Sequence, residues 1–352
     1  MDLATIWFVL VGVLFAGYAV LDGFDLGVGV LYPFIGKTAQ ERRSLRVAIG
    51  PFWDGNEVWL LTAGGALFAA FPPVYATAFS GLYLALILVL AGLIFRAVSI
   101  EFRGKDEAWA PFWDWAFFGG SLLPALLFGV AVGNMVRGVP VTPAGEYGGT
   151  FLDLLNPYAL LIGVTGLAMF VTQGASWAAI RTAGALRLRA ERARSIGHIV
   201  LGALVVASTV ATFFAAEDHF RNNLTSVAGW LMIVLLAAGY ALARGGMVRG
   251  STVWAFIGSS ISILGLVGLW AAGSYPALIP ASNRPELGLT VDNAASSDLS
   301  LTVMLIIAAI GVPLVLAYTA LVYRALLRRA PDEVTPQTLS AEVEGKTADT
   351  GY

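Results

Sequence analysis

Apolar residues run along this chain in long blocks, and the polar positions gather between the blocks. An α-helix rises about 1.5 Å per residue, so about 20 apolar residues cross a bilayer. Nine blocks meet that length, at about 5–32, 50–71, 76–98, 113–136, 156–180, 197–216, 225–243, 252–272 and 300–325. The pattern predicts an all-α integral membrane protein, with a transmembrane domain of nine helices over 1–329. The connections are short, apart from Gly273–Leu299. The stretch 330–352 is polar and without periodicity, which predicts a disordered tail.

Composition supports the membrane reading. The chain is 58% hydrophobic and 12% charged, against roughly 25% charged residues in soluble domains. Too few polar side chains remain to coat a water-soluble globule. The N-terminus lacks a basic region, and its first apolar run is too long for a cleavable signal, so that run reads as the first span. Cysteine is absent, which excludes disulfides, thiolate metal sites, iron–sulfur clusters and a cysteine nucleophile. No Walker loop, no GxGxxG after a strand and no HExxH is present.

Charge placement orients the spans. Lys37, Arg42, Arg43 and Arg46 follow span 1; Arg96, Arg103 and Lys105 end or follow span 3. Arg181, Arg187, Arg189, Arg192 and Arg194 follow span 5, Arg244 and Arg249 follow span 7, and Arg324, Arg328, Arg329 and Lys346 follow span 9. Only Arg137, Arg221 and Arg284 fall on the other side. Basic loops face the cytoplasm, so the N-terminus is expected outside and the C-terminus in the cytoplasm.

Against that background, acids inside the blocks stand out. An Asp at mid-span costs roughly 2.5–3.5 kcal/mol on insertion scales. Asp22 and Asp25 lie in span 1, Asp54 and Glu57 in span 2, each pair spaced i,i+3 on one helical face. Both pairs fall in the cytoplasmic half. One reading of Asp54 and Glu57 is a helix start, after Gly50-Pro51, where acids suit the helix dipole. The matching reading of Asp22 and Asp25 is that Gly23, Gly27 and Gly29 interrupt the helix and the aspartates cap the break. The functional alternative is a chain of carboxyls facing a partner helix or wet cavity, able to pass protons. Arg96 is expected to snorkel to the interface, with a counter-ion role for the acids as the alternative. Trp53 suits an interfacial belt; Trp59 lies deeper. Gln173 is expected to hydrogen-bond between helices. His198 and His219 fall on opposite membrane sides, so they cannot share a haem or metal, and each is expected to be solvated. A proton-coupled secondary transporter would suit intramembrane acids and broken helices, but no internal repeat is evident. A purely structural subunit is the third class of reading.

Five stretches then become recognisable together: "GYAVLDGFDLGVGVL", "GPFWDGNEVWLLTAGGALFAAFPPVYATAFSGLY", "WDWAFFGGSLLPALLFGVAVGN", "LLNPYALLIGVTGLAMFVTQGA" and "LTVDNAASSDLSLTVM". In this order, from about Trp7 to about Tyr323, the chain resembles subunit II of cytochrome bd, the bacterial quinol oxidase. The resemblance implies two four-helix bundles plus one extra helix, in a multi-pass protein of the bacterial cell membrane. It implies a heterodimer with subunit I, which holds two b-type haems and one d-type haem, oxidises menaquinol or ubiquinol on the outer side and reduces O2 to water; no nucleic acid is involved. It implies cytoplasmic protons for that water, drawn past Asp54 at the mouth of a path along the subunit interface and Asp25 within it. Asp22, Glu57 and Arg96 accompany them, and Trp59 matches a tryptophan associated with oxygen access in some members. This chain is then a non-haem-ligating subunit, with no catalytic residue of its own, of an electrogenic enzyme. A structural quinone, bound lipid and a small accessory membrane peptide belong to the same implied picture. The loops Gly138–Gly149 and Glu217–Thr225 look trimmed relative to longer relatives.

Overall fold

A computed structural model describes residues 2–105 and 107–327, which are almost wholly helical. In chain order the helices are α1 (Leu3–Ile35), α2 (Ala39–Ile49), α3 (Trp53–Ala70), α4 (Pro72–Gly81), α5 (Tyr83–Phe102), α6 (Ala110–Arg137) and α7 (Pro157–Arg181). They continue as α8 (Gly184–Ala215), α9 (Glu217–Thr225), α10 (Val227–Val248), α11 (Thr252–Ser274), α12 (Val291–Ala294) and α13 (Asp298–Leu327). The predicted tail and Arg328, Arg329 and Lys346 lie outside the described residues.

Eight of the described helices are long and apolar enough to cross a membrane: α1, α5, α6, α7, α8, α10, α11 and α13. The stretch predicted as the second span forms α3, whose 18 residues carry Asp54, Asn56 and Glu57 in the first turns, and these dilute its apolar character. α3 nevertheless runs between the two ends of the molecule, because alternate connections gather at opposite ends. At a basic end, Arg42 Nη1 of α2 donates to Asp114 Oδ2 at 2.7 Å, Arg103 Nε donates to Asp114 Oδ1 at 2.9 Å, and Arg189 Nε of α8 donates to the Ile35 carbonyl at 2.8 Å. At the far end, the Ser296 amide donates to the Ala70 carbonyl, the Val139 amide to Pro280 and the Asn222 amide side chain to Gly273.

The predicted third span, 76–98, is corrected by the structure. Its start belongs to α4, which has Pro72 and Pro73 in its first turn; the chain breaks at Leu82, and the long helix is α5, ending at Phe102. Because both segments are apolar, hydropathy cannot see the break. Two connections hold helices of their own. α2 starts with a capping box in which Thr38 and Glu41 satisfy each other's backbone N–H groups, and α9 fills the connection after α8. The long connection holds a small antiparallel pair, β1 (Ala277–Ile279) and β2 (Leu289–Thr290), and α12.

α1 is central. It packs on α3, α6, α7 and α11, and α6 packs on both α5 and α7, while α7 packs on α8 and α10 on α11. Its glycines do not interrupt it, contrary to the capped-break expectation: α1 is continuous over 33 residues. Gly27 instead permits contact with α7. A Cβ on Gly27 would stand 1.9 Å from the Phe170 carbonyl oxygen, and one on Gly174 would stand 2.3 Å from the Gly27 carbonyl carbon. Small residues that let backbones touch are how membrane helices gain van der Waals contact when lipid is as apolar as leucine. α13 is the opposite case. Only 6% of its apolar window is buried, and the helices it packs against most are α1 and α3.

Candidate functional site between α1, α3 and α5

Three of the four acids, Asp22, Asp25 and Glu57, converge, and Asp54 does not join them. Asp22 and Asp25 leave α1 on the side facing α3 and α5, and both are completely buried. Arg96 of α5 meets them there. Its Nη1 donates to Asp22 Oδ2 at 2.9 Å and its Nη2 to Asp22 Oδ1 at 2.8 Å. Both side chains have 0% exposure, so Arg96 does not snorkel. The cause is register: α5 extends to Phe102, which puts Arg96 well inside the helix rather than at its last turn. A two-pronged guanidinium–carboxylate pair is the geometry that best offsets the cost of burying both charges. Glu57 of α3, partly exposed, adds a second carboxylate 3.5 Å from Arg96 Nη2.

Asp25 has a different setting. Its Oδ2 accepts from Asn56 Nδ2 at 2.8 Å, while its Oδ1, also buried, has no hydrogen-bond partner among the described residues. Asn56 Nδ2 also reaches the Leu21 carbonyl at 3.3 Å, and Asn56 Oδ1 accepts from the Tyr323 hydroxyl of α13 at 2.9 Å. Asp54, in the first turn of α3, is exposed and makes no hydrogen bond or ion pair among the described residues. The four acids therefore do not form a continuous hydrogen-bonded chain. Asp22 is locked, Glu57 is loosely paired, Asp25 is held by one oxygen, and Asp54 stands at the surface. Exposed Gly55, Val58, Leu61, Thr62, Gly65 and Phe68 continue the Asp54 face along α3. Trp59, half-buried, lies over Gly17 of α1, where a Cβ would stand 2.3 Å from its ring.

Other expectations divide. Gln173 does join helices: Nε2 donates to Ser260 Oγ at 2.9 Å and Oε1 accepts from Ser259 Oγ at 2.5 Å, linking α7 to α11. The histidines are not simply solvated. His198 is 4% exposed and its ring stacks on Tyr240 at 3.8 Å; burial lowers the His219 pKa to about 4. From His198 to the end of α8 at Ala215 the helix rises roughly 25 Å before α9 begins, so they do not meet. Sequence reasoning missed Asp114, a nearly buried carboxylate that gathers Tyr32, Arg42 and Arg103. Its signal was an acid opposite two basic loops. It also missed Asn56 and Tyr323, which are neutral, and the buried side chain of Arg194, whose Nε and Nη1 lack partners among the described residues.

The chain matches known proteins over nearly its whole length. The family model for cytochrome bd terminal oxidase subunit II matches residues 3–326. The chain is 41% identical to the probable cytochrome oxidase subunit 2 of Haemophilus influenzae, over 92% of this chain and 94% of that one. It is 39% identical to cytochrome bd-I ubiquinol oxidase subunit 2 of Escherichia coli K12, over 93% and 95%, and 38% identical to cytochrome bd ubiquinol oxidase subunit 2 of Bacillus subtilis, over 90% and 93%. Among solved structures, a chain of the bd oxidase from Geobacillus thermodenitrificans has the same fold, with a TM-score of 0.78 at 16% identity, covering 93% of this chain and 99% of that chain.

Proposed function

The chain belongs to the cytochrome bd terminal oxidase subunit II family, and from that premise we propose that it completes a bacterial quinol oxidase by carrying protons toward the haem-bearing subunit I. As a multi-pass protein of the bacterial cell membrane it has nine spans in this reading, α3 included, with the basic end in the cytoplasm. Two b-type haems and one d-type haem sit in subunit I, where they supply the oxygen-reducing chemistry. In this reading the chain ligates none of them; among the described residues no group of three or more His, Cys, Asp or Glu side chains could hold a metal ion. Menaquinol or ubiquinol, oxidised on the outer side, provides the electrons; the names of the E. coli and B. subtilis relatives point to ubiquinol.

In this reading the exposed face of α3, with α13 beside it, is covered by subunit I. Covering it turns Asp54 from a surface acid into the mouth of an interfacial path. Asp25 takes the proton inside. Asp22 and Arg96 form a fixed, neutralised pair that holds α1 against α5 and keeps the field around Asp25 constant; Glu57 lies alongside as a third acid. Trp59 closes α1 against α3 above this layer, the position from which it borders oxygen access. Protons taken from the cytoplasm, with electrons released outside, move charge across the membrane without a separate pump, and each charge is worth about 2.3 kcal/mol per 100 mV.

The observation that carries the reading is Asp25: a buried carboxyl whose Oδ1 is unpartnered, one Asn56 amide away from the helix that also displays Asp54. The test is purification in mild detergent. A haem-bearing partner should co-purify and the complex should reduce oxygen with quinol. In that complex Asp54→Asn should slow oxygen reduction at least severalfold, about 1 kcal/mol or more of barrier, with haem content intact. Full turnover with full haem would refute the role of Asp54.

A further inference from the structure

We infer that Asn56 and Tyr323 are positioning residues that clamp Asp25 by its Oδ2, so that Asp25 takes up and releases protons at Oδ1. This rests on the proton-path reading of Asp25 and goes beyond it by naming the atom and the two residues that select it. The network fixes the amide without ambiguity. Nδ2 faces two groups, the Asp25 carboxyl and the Leu21 carbonyl, and the carbonyl can only accept. Oδ1 faces the Tyr323 hydroxyl, which donates at 2.9 Å. A flipped amide would aim its NH2 group at the tyrosine and leave both the Asp25 carboxylate and the Leu21 carbonyl facing an acceptor. The Leu21 carbonyl thus sets the amide's orientation, the Tyr323 hydroxyl anchors its oxygen from the other side, and the amide sets which carboxyl oxygen is tied. The other oxygen is buried and has no hydrogen-bond partner among the described residues.

The tyrosine is itself held. Its ring lies 4.6 Å from Phe52 and 6.1 Å from Trp177, in an aromatic cluster at the basic end of the molecule. Elsewhere α13 touches the chain little, so Tyr323 is where the last helix reaches into the layer of acids. Three helices therefore set one carboxyl: α1 carries it, α3 ties it and α13 anchors the tie.

The test uses the assembled oxidase and measures quinol-driven oxygen consumption in H2O and D2O, with the haem spectrum as the control for assembly. Tyr323→Phe removes only the hydroxyl and keeps the ring on Phe52. Turnover should fall about threefold to tenfold, the size expected from one neutral hydrogen bond, the solvent isotope effect should rise, and the haem spectrum should stay unchanged. Placed on Asp25→Asn, Tyr323→Phe should add nothing. Wild-type turnover and isotope effect in Tyr323→Phe, with Asp25→Asn slow, would overturn the clamp and leave the path standing. Losses that simply add in the double variant would also overturn it, because Tyr323 would then act elsewhere. Full turnover in Asp25→Asn would instead overturn the path itself. If Tyr323→Phe loses its haems, Asn56→Ser is measured by the same four comparisons.

Discussion

Two layers of buried polar groups lie in this molecule, and they are built differently. Between α7, α8 and α11 the groups are neutral and closed on each other: Gln173 with Ser259 and Ser260, Thr165 Oγ1 with Ser208 Oγ at 2.8 Å, Tyr158 Oη with Thr212 Oγ1 at 2.9 Å. Between α1, α3 and α5 they are charged, and they leave atoms open: Asp25 Oδ1 and Arg96 Nε. Neutral pairs hold membrane helices together at small cost. Charges cost several kcal/mol each to bury, and swapping a buried ion pair for apolar residues often stabilises a protein. A chain that wanted only adhesion has, in its own second layer, the cheaper solution. The first layer is therefore the one to which we assign the proposed proton chemistry. Arg194 and His198, at the basic end of α8, are the exception in the neutral layer.

The comparison can be broken most directly at the ion pair. Asp22→Ala strands the Arg96 charge in a fully buried site, which costs about 3–5 kcal/mol. The expected result is loss of assembled, haem-bearing complex on detergent gels, and Asp22→Ala with Arg96→Met together should recover much of it. At the basic end, Asp114→Asn removes the charge that Arg42 and Arg103 share. Because both arginines are partly exposed, the loss should be about 1–2 kcal/mol, read as a lower thermal midpoint without loss of turnover. His219 sharpens the picture through pH. Its folded pKa lies near 4 against 6.5 for the free side chain, so the unfolded chain binds the proton first. Stability is intact above about pH 6.5 and falls as pH drops toward 4, by on the order of 2 kcal/mol; His219→Gln should flatten that slope in melts between pH 7 and 4.5. The smallest effect is expected in the neutral layer. Gln173→Leu leaves two serines that can bond to their own helix, as Ser260 already does to Phe256, and should cost about 1 kcal/mol or less.

How much was legible in the sequence follows the same division. Length and hydropathy located the apolar helices, and the i,i+3 spacing of Asp22 with Asp25 put both on the buried side of α1, whereas the same spacing left Asp54 at the surface while Glu57 turned toward Arg96. Gln173 was legible because a lone amide in an apolar helix has few other uses. The Arg96 pairing was legible only as the alternative to snorkelling, because a span drawn to end at 98 put Arg96 at the interface, whereas α5 runs to Phe102. The break at Leu82 lies between two apolar stretches and leaves no polar mark. Asp114 looked like a residue at a span's edge, since only the folded arrangement brings α2 and the end of α5 over it. Asn56 and Tyr323 were hidden for a simpler reason: neither carries charge, and their meaning depends on each other across 267 residues.

The most direct test of the central claim is proton uptake itself. The purified complex carrying Asp25→Asn would be mixed with oxygen after reduction, and proton disappearance followed with a pH dye. The account predicts an intact haem spectrum, normal binding of oxygen and proton uptake slowed at least tenfold, about 1.4 kcal/mol of barrier. Uptake at the wild-type rate in fully haem-loaded Asp25→Asn would contradict it.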